Sequence, residues 1–201
     1  MNYSLPKSVN INGNVFAIRY DFRVILEILE MLNDPELSDH DKQICLLTMF
    51  YPEWEKITDI QEAIRQCYIF IDEGEKPHKK SPRLIDWEQD FEYIIAPINR
   101  VLGYEVRAVD YDPMTNTGGV HWWTFLSGYM EMGTDSLMAQ IVNIRNKLAR
   151  GKKLEKHERE WLRQNRNIVD IKRKYTEKEN EITTNRNSAN QRLRQSSLTI
   201  M

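Results

Sequence analysis

The chain is poor in turn-forming residues and lacks any long apolar run. Its 201 residues include only eight glycines and seven prolines, which argues against an all-β sandwich with many tight turns. No apolar stretch approaches the roughly 18 residues that a membrane-spanning helix needs. The N-terminus also lacks the basic and apolar segments of a signal peptide. We therefore expect a mainly α-helical protein located in the cytoplasm.

Cysteine and histidine are also scarce. Cys45 and Cys67 each lie in an apolar helical pattern, which favours buried thiols in a reducing compartment over a disulfide or a reactive thiol. None of the four histidines has a second ligand at helical spacing and a third nearby, so we predict no metal site and no cofactor. Phosphate-binding loops, nucleophile elbows and dinucleotide fingerprints are absent. We do not expect an enzyme.

Charge is distributed unevenly along the chain. Residues 1–144 contain 12 Lys and Arg against 23 Asp and Glu, whereas residues 145–201 contain 16 against 7. The net charge of −2 therefore hides an acidic body and a basic C-terminal arm. Such polarity has three interpretations. It can drive head-to-tail self-association, it can attract an acidic partner to the arm, or the arm can be a solvated basic helix without a partner.

A β-hairpin is predicted within residues 1–20. Val9 and Ile11 precede Asn12-Gly13, and alternating apolar residues follow it. Asn-Gly between alternating apolar residues is a strong hairpin signal, because a type I′ turn needs positive φ at both central residues. A hairpin of this size is marginal alone, so we expect it to pack on helices or to extend a neighbour's sheet.

Residues 21–150 have helical periodicity and are predicted to form one compact helical domain. Pro97 predicts a kink in the fourth helix, and Gly103 is placed to end it. The polar segments 73–83 and 110–119 are predicted to be loops. The predicted N-caps of five helices are Asp21, Ser38, Thr58 or Asp59, Asp86 and Thr134.

An extended basic helix is predicted for residues 151–182, followed by a disordered tail at 183–201. Lysine and arginine side chains here could bind phosphates while Trp161 stacks on a base. A sequence pI of about 6.1 and interspersed glutamates, including a Glu155–Arg159 ion pair at i,i+4, favour a solvent-exposed helix instead. The basic arm comprises Lys147, Arg150, Lys152, Lys153, Lys156, Arg159 and Trp161.

An aromatic helix begins after His121, which we predict to be a packing or capping residue. Its large side chains occupy more than one face, so part of the set must belong to the core. The remainder is predicted to form an exposed patch that binds a partner protein, because Trp, Tyr and Met concentrate at the centres of interfaces. Complete burial is the alternative. The predicted patch consists of Trp122, Trp123, Phe125, Tyr129 and Met130.

These segments resemble the bacteriophage gene-product-fifteen family, found in the tail-gene clusters of long-tailed phages and prophages of Gram-positive bacteria. The acidic run Asp86-Trp87-Glu88-Gln89-Asp90 that precedes them also fits, and the resemblance covers roughly residues 20–172. The motifs that carry it are His121-Trp122-Trp123-Thr124-Phe125, Tyr129-Met130, Gly133, Ile144-Arg145-Asn146-Lys147 and Gly151-Lys152-Lys153-Leu154-Glu155-Lys156-His157-Glu158.

The resemblance implies a non-enzymatic tail-assembly chaperone that works in the cytoplasm of the bacterial host. Such a protein would coat helices of the tape-measure protein, recruit tail-tube subunits and be absent from the finished virion. Opposite charges on body and arm would let copies associate head to tail. The alternatives are a structural virion component of the tail and a nucleic-acid-binding protein that uses residues 147–174. A hydrolase built on the loop Asp110–Gly119 has the least support.

Overall fold

The computed structural model describes residues 4–73 and 82–172. Three predictions fall outside these residues: most of the loop 73–83, the basic helix beyond residue 172, and the tail 183–201. Within the described residues the structure holds seven α-helices and two short hairpins. The predicted class, mainly α with a small N-terminal hairpin, is therefore confirmed.

The N-terminal hairpin consists of β1 (Ser8–Ile11) and β2 (Asn14–Ala17). Ile11 pairs with Asn14, which leaves Asn12 and Gly13 as a two-residue turn. Their φ angles are 50° and 90°, both positive, as the predicted turn requires. One face of the hairpin packs on the core and carries Val9, Ile11, Phe16 and Ile18.

The next three helices begin at predicted caps. Each cap uses a side-chain oxygen to accept a hydrogen bond from a backbone N–H of the first turn, a group with no partner inside the helix. A short 3₁₀ turn, Trp54–Lys56, precedes the third helix. The helices are α1 (Phe22–Asn33), α2 (Asp39–Phe50) and α3 (Ile60–Ile71), and their caps are Asp21, Ser38 and Asp59.

The fourth helix, α4 (Trp87–Leu102), is capped by Asp86 and ends at Gly103. Gly103 has a φ of 80°, in the left-handed region, which confirms the predicted C-cap. The helix continues through Pro97, and the kink there stays a prediction. A second 3₁₀ turn, Val106–Ala108, follows.

The predicted second loop contains a small hairpin, β3 (Tyr111–Asp112) paired with β4 (Thr117–Gly118). Asp112 organises its turn, because its carboxylate accepts hydrogen bonds from Met114 N and Thr115 Oγ1, both at 2.8 Å. This use of aspartate is the ordinary one in turns.

Two helices, α5 (Trp122–Met130) and α6 (Leu137–Ala149), follow the second hairpin. The prediction that Thr134 caps α6 is wrong. Ser136 N donates to Gly133 O at 3.0 Å, so a turn occupies residues 133–136 and the helix begins only after it. Ser136 Oγ then accepts from Ala139 N at 3.1 Å.

The last described helix, α7 (Lys156–Val169), is shorter than the predicted basic helix 151–182. It ends at Val169 because Asp170 is extended, with ψ of 123°. It packs against α6, and the compact unit reaches Ile171. The compact unit therefore continues past the predicted boundary at residue 150 and includes α7.

The core lies where α1, α4 and α5 meet. α1 contacts α2, α4 and α5, and α4 contacts α5 and α6. No helix among residues 4–73 and 82–172 combines the length and apolar character needed to cross a bilayer. The largest fully buried side chains are those of Trp122, Tyr51, Phe22, Phe50 and Phe125.

Candidate partner-binding surfaces

The segments that lead into α1 and α5 run antiparallel, with Asp21 opposite His121. Trp122 N donates to Tyr20 O at 2.7 Å. The fully buried Asp21 carboxylate also accepts a hydrogen bond from Val120 N at 2.8 Å. Burial raises the pKa of Asp21, although its backbone and Arg23 hydrogen bonds act in the opposite direction. These contacts fix the start of α5 against the start of α1.

His121 caps α5 with its imidazole ring. Its Nδ1 accepts from Trp123 N at 3.1 Å, and its Nε2 lies 2.8 Å from Pro6 O. A carbonyl oxygen can only accept, so the proton resides on Nε2 and Nδ1 keeps its lone pair for the cap. Burial lowers the pKa of His121, which favours this neutral form. The predicted capping role is confirmed.

The two tryptophans of the motif bind the end of α3. Trp122 Nε1 donates to Ile71 O at 2.9 Å, and Trp123 Nε1 donates to Phe70 O at 2.8 Å. The last carbonyls of a helix have no donor within the helix, and here two indole N–H groups supply it. The tandem tryptophans therefore join α5 to α3, and both indole N–H groups point into the protein.

The predicted exposed aromatic patch is wrong for two of its five members. Trp122 is 2 % exposed and Phe125 is fully buried, with the Phe125 ring stacked on Phe22 at 4.5 Å between centroids. Both side chains fill the core and cannot touch a partner in this fold. The remaining three divide into the half-buried Trp123 and Tyr129 and the exposed Met130, which is 74 % exposed.

A different apolar surface lies along α3. Ile60 is 40 % exposed and Tyr68 is 44 % exposed, and the half-buried Ile64 lies between them. Spacings of four and eight residues place all three on one side of the helix. We call these three residues the α3 face.

The N-terminal hairpin contacts the start of α3. Asn12 Nδ2 donates to Asp59 Oδ2 at 2.8 Å, which holds the hairpin turn at the start of α3. Val15, three residues beyond Asn12, is 70 % exposed. Val15 is thus an exposed apolar side chain of a hairpin whose turn is bonded to the start of α3.

Sequence reasoning missed the α3 face because the apolar residues of α3 form two adjacent rows. One row, with Ala63, Cys67 and Phe70, is buried. The other row is the α3 face, and a periodic pattern alone does not say which row faces the core. The unusual width of the apolar stripe was the available signal.

The basic arm is only partly available to a partner. Lys147 Nζ lies 2.6 Å from Glu158 Oε1, and Glu158 also accepts from Glu155 N at 2.8 Å. The hydrogen bond from Lys147 lowers the pKa of Glu158, which is 6 % exposed. Lys147 therefore joins α6 to α7 and is not a free cation.

One further expectation about the arm is wrong. The predicted Glu155–Arg159 ion pair does not form among the described residues, because Glu155 is the extended cap residue and Arg159 Nη1 instead donates to Leu154 O at 3.2 Å. Trp161 is half-buried and packs on the core, so part of its ring is covered by the protein.

Four cations of the arm remain exposed around the turn between α6 and α7. Within the part of the chain that the structure describes, none of them lies within 4.0 Å of a carboxylate oxygen. We call these four the basic turn: Arg150, Lys152, Lys153 and Lys156.

Arg145 is a buried residue whose role sequence reasoning missed. Its five guanidinium N–H groups all have acceptors, so α6 is joined to α4 and to the end of α7. The signal was available, because Arg145 and Asp90 each interrupt an apolar helical stripe. The acceptors are the Asp90 carboxylate, which takes two, and the carbonyls of Leu84, Ile168 and Val169.

The described segments contain no group of three or more His, Cys, Asp and Glu residues that could hold a metal ion. The geometry instead offers two surfaces, the α3 face and the basic turn, on a rigid helical scaffold. Together they define a small helical protein suited to contacts with other macromolecules.

The family model described as Bacteriophage Gp15 protein matches residues 1–171. The chain therefore belongs to this family of bacteriophage proteins, which confirms the resemblance seen in the motifs. No curated protein and no solved structure matches the chain.

Proposed function

We propose that this protein is a non-enzymatic tail-assembly factor that binds an apolar helix of the tape-measure protein in the cytoplasm of the bacterial host. It would hold that helix until tail-tube subunits replace it. Membership of the phage family supports the setting. The observation that carries the binding mode is the α3 face, a row of apolar side chains left outside the core.

The α3 face suits a helical partner. Its row extends over two turns, and an amphipathic helix can lay apolar side chains at i, i+4 and i+7 against such a row.

Co-expression with overlapping tape-measure fragments tests this proposal. We expect at least one fragment to co-purify as a complex of defined mass by size-exclusion chromatography with light scattering. The double variant Ile60→Glu/Tyr68→Glu should bind at least tenfold more weakly and keep its thermal stability, since both side chains are already exposed. Failure of the wild-type protein to bind any fragment would overturn the proposal.

A matched control variant is Val101→Glu/Leu148→Glu. These residues are 40 % and 46 % exposed, so the control adds the same two charges at similar apolar surface away from α3. It should bind the fragment as the wild type does. Mass spectrometry of purified particles separates an assembly factor, expected to be absent, from a structural component of the virion.

Nucleic-acid binding is the second candidate function, and the exposed basic turn is the observation that favours it. Retention on duplex DNA at low salt, lost steeply as salt rises, would be the signature. We expect no retention, because Lys147 is paired with Glu158 and the arm's tryptophan packs on the core.

A further inference from the structure

The turn between α1 and α2 has the charge opposite to that of the basic turn. Residues 24–41 contain six Asp and Glu and no Lys or Arg. Five of the six side chains are exposed, and only Asp34 is half-buried. We call this set the acidic turn: Glu27, Glu30, Asp34, Glu36, Asp39 and Asp41.

Hydrogen bonds fix the shape of the acidic turn. Asp34 Oδ1 accepts from Glu36 N at 2.7 Å, and Asp41 Oδ2 accepts from Ser38 Oγ at 2.6 Å. These bonds hold the backbone of the turn and the Asp34 and Asp41 carboxylates in place.

The basic turn is equally well defined. Lys152 N donates to Lys147 O at 2.8 Å and Gly151 N donates to Leu148 O at 3.0 Å, the two hydrogen bonds of a Schellman motif. Gly151 has the positive φ, 63°, that this motif requires. The lysines and arginine therefore project from a rigid helix end.

The two turns do not neutralise each other within one molecule. They belong to separate helical hairpins, α1–α2 and α6–α7, and among the described residues no ion pair joins one hairpin to the other. Each copy thus has one turn with four cationic side chains and one turn with six carboxylates.

We propose that the basic turn of one copy docks on the acidic turn of a second copy of this chain. The contact is heterologous, so every added copy leaves one turn of each sign undocked at the ends and the assembly can grow. It does not use the α3 face, which stays available for a partner helix. Because the charges are exposed, the association is weak and salt-dependent, with a screening length of about 8 Å at physiological ionic strength.

Charge-reversal complementation in the full-length protein tests the contact. One variant reverses the basic turn (Lys152→Glu/Lys153→Glu/Lys156→Glu), and the other reverses the acidic turn (Glu27→Lys/Glu36→Lys/Asp39→Lys). Sedimentation velocity at 50 mM salt should show concentration-dependent association of the wild type, weakened at least tenfold in each variant. An equimolar mixture of the two variants should associate again, since each reversed turn then meets its complement.

A control variant, Glu55→Lys/Asp110→Lys/Glu131→Lys, makes the same charge change at exposed sites outside both turns and should associate like the wild type. A wild type that stays monomeric at several hundred micromolar, or a mixture that stays monomeric, would overturn the contact. Association that persists in either reversal would also overturn it. Binding of a tape-measure fragment is a separate readout and is expected to survive both reversals.

Discussion

Arg145 and Asp90 form a two-pronged ion pair inside the protein, with Nη1–Oδ2 at 2.5 Å and Nη2–Oδ1 at 3.0 Å. The exposed fractions of the two side chains are 5 % and 0 %. The same guanidinium holds the carbonyls at the end of α7. Arg145 therefore joins α6 both to α4 and to the end of α7.

Removing one partner of this pair should destabilise the protein strongly. We expect Arg145→Met to lower the free energy of unfolding by about 3 to 5 kcal/mol, because the Asp90 carboxylate is left buried without a counter-charge. The double variant Asp90→Leu/Arg145→Met should recover only part of that loss, because the carbonyls of Leu84, Ile168 and Val169 still lose their donor. Urea denaturation measures both. The control is Arg163→Met, at an exposed site on α7. It should change the free energy of unfolding by under about 0.5 kcal/mol.

Truncating Trp122 should lower the free energy of unfolding far more than truncating Met130, although both residues belong to the predicted patch. Trp122→Ala leaves a cavity and removes the donor to Ile71 O, so we expect a loss of about 3 to 5 kcal/mol. Met130→Ala should change the free energy of unfolding by under about 0.5 kcal/mol. Urea denaturation of both variants checks this, and a small loss for Trp122→Ala would contradict the buried position.

His121 should make stability depend on pH. Burial lowers its pKa in the folded state below the unfolded value of about 6.5. The unfolded chain then binds the proton more readily, so stability is complete above that value and is lost as pH falls through it. His121→Asn keeps a capping acceptor but does not titrate. The difference in unfolding free energy between wild type and variant should shrink from pH 8 to pH 5, and parallel pH profiles would refute this.

Gly119 should tolerate alanine less well than Gly151, although both have positive φ angles, 77° and 63°. A Cβ at Gly119 would lie 2.2 Å from Asp21 Oδ2, whereas a Cβ at Gly151 would have no atom within 4 Å. Gly151→Ala should therefore cost about 1 to 2 kcal/mol for the backbone alone. Gly119→Ala should cost clearly more in thermal unfolding, since it also displaces the buried carboxylate that caps α1. Equal losses of stability in the two variants would contradict the prediction, because they would show that the Asp21 side chain can move away from the new Cβ.

Local features could be predicted because their determinants are adjacent in sequence. The Asn12-Gly13 turn and the caps at Asp21, Ser38 and Asp86 each depend on a few neighbouring residues, and all are confirmed. The one wrong cap is Thr134. Ser136, two residues further on, is an equally acceptable capping residue, and the turn before it determines that the helix begins after Ser136.

The sequence by itself determined the helical class, the hairpin, the family and the division of charge, since these follow from composition, motifs and short-range rules. Only the tertiary structure decided that Trp122 is core while Tyr68 is exposed, and that Lys147 is paired while Lys152 is free. The physical reason is that burial and ion pairing depend on which neighbours the fold brings close, and those neighbours are distant in sequence.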